Sequence, residues 1–163
     1  MSSTEKIIST KVTLKFKYLN NNIEQHIYDN IKETVIGKCF KQHGYINDIK
    51  EIVSYKENVI SNTNSAVIFN VTFIAIVLNP QIGDIYYTNI FYLDCNSILV
   101  TLENKLKMIV PPFTLVGFKY DDVNNYYVNG DDKYMLNDKM KIEIVNVRFL
   151  NNKFDYIAKF VSL

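Results

Sequence analysis

The side chains best suited to covalent or metal chemistry are few. They are His26, His43, Cys39, Cys95 and the acidic pairs Asp121-Asp122 and Asp131-Asp132. A catalytic nucleophile needs a base within hydrogen-bond reach, and neither histidine falls in a motif that supplies one. His26 lies one position from an apolar helical stripe, and His43 precedes Gly44 in a turn. The cysteines have no CxxC or Cys/His spacing, so they read as two reduced, buried thiols rather than zinc ligands. The aspartate pairs lack the spacing of a calcium loop and read as solvated loop acids. GxGxxG, P-loop, HExxH and GxSxG motifs are all missing. So is an acidic triad for metal-dependent nucleotidyl transfer. The sequence therefore predicts no catalysis by this chain alone, and neither a metal nor a cofactor.

A second kind of chemistry is better supplied. Aromatic rings interleaved with lysines can stack bases and neutralise phosphates. The second half of the chain carries many such rings. The candidates for RNA contact are Tyr86, Tyr92, Lys105, Lys107 and Lys119. Strand alternation puts Tyr87 and Phe91 on one face and Tyr86 and Tyr92 mostly on the other. The 18 basic and 17 acidic side chains leave a net charge of +1. That balance predicts weak, auxiliary contact with RNA and excludes a long basic arm.

The elements that must position these groups follow from periodicity. Val12, Leu14, Phe16 and Tyr18 alternate with polar residues, which predicts a half-buried strand over 11–18. Ile23, Ile27, Ile31 and Val35 recur every four residues, which predicts a 13-residue helix. Asn22 is placed to cap it, Gln25 to complete a capping box, and Gly37 to stop it. An irregular apolar pattern over 45–55 predicts a bent or bulged strand. The stretch 67–78 is apolar on both faces and predicts a central strand. Asn79-Pro80-Gln81-Ile82-Gly83-Asp84 then marks a boundary.

Beyond it, strands are expected at 85–93, 97–102, 105–110, 114–120, 141–149 and 154–161, with a long loop over 120–138. Short strands at this spacing predict a small closed barrel of the OB type. The most apolar run, Ala66–Leu78, spans 13 residues, short of the roughly 17–25 of a membrane helix. Met1–Lys6 is polar and has no leader-like apolar core. A cytoplasmic protein without a membrane partner is the expectation. Ile, Asn, Lys and Tyr number 21, 20, 17 and 12, an excess that points to an AT-rich gene.

The order of strand, one helix, long strands, Pro/Gly boundary and barrel resembles the stalk subunit of multisubunit DNA-directed RNA polymerases. That family includes the seventh-largest subunit of eukaryotic polymerase II and its archaeal counterpart. Gly37-Lys-Cys39-Phe-Lys-Gln-His-Gly44-Tyr45-Ile46 resembles the family's helix exit. Val67 to Pro80 resembles its long strand, Gly83-Asp84 the start of its S1-type barrel, and Lys141 to Arg148 the end of that barrel. The Asp94–Leu106 stretch lacks the glycines usual after the first barrel strand.

The resemblance implies an α+β protein of two modules. An N-terminal tip module, one helix packed on an antiparallel sheet, spans 1–80, and an OB-fold, S1-type barrel spans 81–163. It implies a non-catalytic subunit that docks near the polymerase clamp, supports initiation and guides nascent RNA. Docking would use Gly37, Cys39, Gly44, Tyr45, Asn79, Pro80 and Gly83. The implied partners are the large polymerase subunits and a small stalk subunit. The AT-rich composition and the divergence fit a large cytoplasmic DNA virus, poxvirus-like or giant, with the protein in host cytoplasm and virion. The competing expectations are a free-standing S1-type single-stranded RNA-binding protein and a structural viral interaction module.

Overall fold

The computed structural model describes residues 3–162. Met1, Ser2 and Leu163, the ends of the two expected modules, lie outside the described residues. The chain divides into two compact units, Met1–Asn79 and Pro80–Leu163.

The first unit holds β1 (Ser3–Lys15), α1 (Ile23–Val35), β2 (Cys39–Phe40), β3 (Gly44–Ser61) and β4 (Ala66–Leu78). The sheet is antiparallel with order β1-β4-β3-β2. The two-sided apolarity of 67–78 puts β4 inside the sheet, with β1 and β3 on either side. Val67, Phe69, Val71, Phe73, Ala75 and Val77 of β4 are buried on one face. They share a single core with Val12 and Leu14 of β1 and with Ile27, Ile31 and Val35 of α1.

β3 is bulged as its irregular pattern predicts, with register shifts at four places along β4. β1 is longer than expected at its start and ends earlier, because Phe16–Tyr18 close into a 3-10 turn. The helix spans the expected residues but not with the expected cap. Asn22 makes no side-chain cap bond. Its own N–H donates to Asn20 Oδ1 at 2.9 Å, and Gln25 Nε2 donates to Asp29 one turn on, also at 2.9 Å.

The second unit is a barrel with a small sheet inserted. Its strands are β5 (Ile85–Leu93), β6 (Ile98–Leu102), β7 (Leu106–Val110), β8 (Lys119–Asp121), β9 (Tyr126–Asn129), β10 (Asp132–Tyr134), β11 (Lys139–Leu150) and β12 (Lys153–Phe160). β5-β6-β7-β12-β11 close on one another. Counting barrel strands in chain order, the circuit runs 1-2-3-5-4-1, and the one parallel contact joins β7 to β12. This closure is compatible with an OB-like barrel. Every second residue points inward, so Ile98, Val100, Met108, Val110, Met140, Ile142, Ile144 and Tyr156 fill the interior. Thr88 is the one polar residue buried among them in the described chain, and its hydroxyl donates to the Met140 carbonyl at 2.9 Å.

Two expectations fail here. No strand spans 114–120. Pro112–Thr114 form a 3-10 turn instead, since Pro111 and Pro112 have no N–H to give a ladder. Nor is 120–138 a loop, because β8, β9 and β10 form a three-stranded antiparallel sheet. Asp121 caps its first turn by accepting the N–H of Val123 and of Asn124, at 3.0 and 3.1 Å. Among the described residues, no helix is long and apolar enough to cross a membrane.

Candidate functional site

The helix exit builds the first candidate region. Gly37, at φ +81, turns the chain out of α1, and its N–H donates to the Ile46 carbonyl at 2.8 Å. The Ile46 N–H donates back to Lys38 at 3.0 Å. Cys39 then stands opposite Tyr45, and Phe40 opposite Gly44. Tyr45 is also paired with Leu78 at the end of β4. Gly37, Cys39, Gly44, Tyr45 and Asn79 therefore gather at one corner of the first unit. Gly44 is buried there, with φ +96. A methyl group at this position would sit 2.6 Å from the Leu78 carbonyl oxygen. Its role is close packing inside the corner, and the surface of the corner belongs to its neighbours. Pro80 and Gly83 fall in the second unit, where the Gly83 N–H donates to Ile144 at 2.8 Å.

His43 ends the turn between β2 and β3. Its Nδ1 is buried and has no hydrogen-bond partner. Burial, and then Lys6, hold its pKa below the ordinary value, so the ring is neutral at pH 7. His26 lies in the first turn of α1, its ring 5.0 Å from that of Tyr18. Cys39 is half-buried, whereas Cys95 is exposed in the turn between β5 and β6 and is not the buried thiol expected. Among the described residues, no group of three or more His, Cys, Asp or Glu could hold a metal ion.

The expected RNA contacts do not assemble into one surface. Tyr86 turns toward the barrel interior, and its phenol donates to Asp84 Oδ2 at 3.0 Å. Burial, reinforced by that bond, holds its pKa above the ordinary value. It is not an outward stacking platform. Tyr92 is exposed because the ladder slips between Ile90 and Tyr92, carrying it to the outer face. Its hydroxyl is engaged, donating to Asp94 Oδ2 at 2.7 Å. Lys105 follows the Glu103-Asn104 turn, Lys107 projects from β7, and Lys119 lies on the separate inserted sheet.

Asp94 is instead a structural hub. Besides Tyr92, its carboxylate accepts the N–H of Asn96 and of Ser97, each at 2.8 Å. Its backbone carbonyl accepts the Tyr127 hydroxyl from the inserted sheet. Burial pushes the Tyr127 phenol up to about 12, with Asp94 adding to the effect. The Tyr92 bond, then those of the backbone, hold the Asp94 carboxyl below its ordinary value. A carboxyl depressed on folding stabilises fully above the unfolded value of about 3.9, and the contribution fades as pH falls through the folded value. The second unit of Asp94→Asn is therefore expected to melt lower than wild type at pH 7. The gap should narrow as pH falls below about 4, toward and through the lowered folded value, as thermal melts at pH 7 and across that acid range will read.

Sequence reasoning missed the rings that do face outward. Tyr87 is 62% exposed, and Lys141 stands opposite it on β11 with Nζ 5.9 Å from the ring centroid. Phe91 is half-buried, with Lys107 Nζ 5.7 Å from its centroid. The clean alternation of 85–89 was the available signal for Tyr87. By contrast, the outer face of β6, β7 and β12 carries an apolar row in which Leu99 is opposite Ile109 and Ile109 opposite Ile157. No protein-family model and no curated protein matches this chain.

Proposed function

We propose that the chain is a non-catalytic stalk subunit of a DNA-directed RNA polymerase. Its first unit is the tip module, docked near the clamp through the Gly37–Tyr45 corner and Asn79, with the Pro80–Gly83 segment that opens the second unit also contributing. Its second unit is an S1-type barrel that guides nascent RNA while the subunit supports initiation. The observation that supports this reading most is the order of parts. A helix leaves through Gly37 into a tight corner at Gly44, a long central strand ends at Leu78, and a barrel closed 1-2-3-5-4-1 follows. The composition fits a viral source, and the subunit then works in host cytoplasm and is carried in the virion.

Affinity purification of the tagged chain from its native or infected cells tests the proposal. The two largest polymerase subunits are expected to co-purify at near-stoichiometric yield. Recovery of the intact chain without them overturns the reading. The exposed Tyr87 with lysines around it favours a second reading, a free-standing single-stranded RNA-binding protein. That one predicts RNA in the eluate and no polymerase subunit.

A further inference from the structure

The strand register of the barrel collects a basic and aromatic surface that is not the one its sequence suggested. Outward residues of β5 are Ile85, Tyr87, Asn89 and Phe91, alternating with the inward Thr88 and Ile90, and past the slip Tyr92 also faces out. On one side, β11 sets Lys141 opposite Tyr87 and Lys139 opposite Asn89. On the other, β6 sets Thr101 opposite Asn89, and β7 sets Lys107 opposite Thr101. A single row thus runs Lys139, Asn89, Thr101, Lys107 across four strands, with Tyr87 and Phe91 on either side of it along β5.

Two of the three lysines sit over these rings, so each ring offers a face already matched to a cation. Tyr87 and Phe91 are four residues apart, about 13 Å along an extended strand. Acids at the border include Glu143, held by Lys159 at 3.1 Å, Glu103 in the β6–β7 turn, Asp94, which accepts the Tyr92 hydroxyl, and Asp138 just before Lys139. The row carries two positive charges, Lys141 beside Tyr87 adds a third, and no acid stands in the row.

We infer that this β11-β5-β6-β7 face is a binding surface for single-stranded nucleic acid, with bases stacking on Tyr87 and Phe91 and phosphates meeting Lys139, Lys141 and Lys107. Charge complementarity selects this occupant. A polyanion with exposed π-faces satisfies both halves of the surface, whereas the apolar Leu99–Ile109–Ile157 row next to it offers a phosphate nothing. A duplex hides its base faces and satisfies only the lysines. The inference deepens the RNA-guiding part of the proposed function, yet it needs only the barrel.

Fluorescence anisotropy with the full chain tests it, using a labelled 12-nucleotide uridylate RNA, the matching single-stranded DNA and a duplex. Both single strands are expected to bind more tightly than the duplex. Three phosphate contacts at about 0.7 each give a slope near −2 for log affinity against log salt. Tyr87→Ala should weaken binding roughly tenfold with little change in salt slope, since stacking on one ring is lost. Lys139→Gln/Lys141→Gln should flatten the slope by about 1.4. Tyr87 and Lys139 are exposed, so these chains should keep the wild-type melt. Ile109→Ser, in the neighbouring apolar row, should bind as wild type. Binding that is absent at low salt, equal for the duplex, or unchanged in the Tyr87 and lysine variants overturns the inference. None of these outcomes bears on whether polymerase subunits co-purify, so the two readings fail separately.

Discussion

Gly44→Ala is expected to destabilise the first unit by about 3–5 kcal/mol, the sum of a strained backbone and an overpacked site. Two independent costs meet at this position. The residue holds φ +96, outside the range open to an L side chain without strain. Its new methyl would also lie 2.6 Å from the Leu78 carbonyl oxygen and 2.7 Å from Asn79 Cβ. The first of these obstacles is backbone, so no rotamer change relieves it. Relief requires opening the Phe40–Gly44 or Tyr45–Leu78 pairing, which is where β3 joins its neighbours.

Gly37→Ala is the control. It has a similar φ of +81, but its nearest neighbour would be the Tyr45 hydroxyl at 3.9 Å. It should cost only the backbone strain, about 1–2 kcal/mol. Urea denaturation of the two variants reads the difference, and equal midpoints would remove the close approach from the account. If the chain is a polymerase stalk, Gly44→Ala should also lose the co-purifying large subunits while the purified chain still binds single-stranded RNA.

The parts of the fold legible in the sequence are those where one period dominates. The four-residue spacing of Ile23, Ile27, Ile31 and Val35 located α1 at both ends, because its buried stripe is one residue wide per turn. The two-sided apolarity of 67–78 marked β4 as interior, since only a strand flanked by partners buries one face and half-buries the other. The inserted sheet was not legible. Its strands are three or four residues long, too short for alternation to show, and they are joined by Asn- and Asp-rich turns that read as loop. Asn22 has the residue type of a helix cap, but its side chain makes no cap bond, and its own N–H goes to the Asn20 side chain two residues earlier.

The site was half legible for a related reason. Alternation along β5 separates Tyr86 from Tyr87 but does not say which face is inside. That is set by which residues fill the barrel, Thr88 and Ile90 here. The slip between Ile90 and Tyr92 then breaks the alternation, and no residue type announces it. Lys139 and Lys141 reach the site only through pairing of β11 with β5, some fifty residues apart in sequence, which local pattern cannot supply.

Ile142→Ala is expected to remove about 2–5 kcal/mol from the second unit, through lost burial and the cavity left behind. Ile142 is fully buried and stands in β11 opposite both Tyr86 of β5 and Phe160 of β12. β11 is the strand that closes the barrel, so a void here weakens both of its seams. For a unit of this size the loss corresponds to a fall in melting temperature of roughly 10–30 °C. Its neighbour Lys141 points the other way, onto the outer surface. The two consequences can therefore be separated. At low temperature, where the barrel is still folded, Ile142→Ala should bind the uridylate RNA as wild type does. Its affinity should vanish on warming, at the lowered melting temperature followed by circular dichroism. Tyr87→Ala should do the reverse, losing affinity at every temperature with its melt unchanged. If Ile142→Ala binds weakly even while fully folded, the nucleic acid is read by the barrel's interior packing or shape and not by the outward row of β5 and β11.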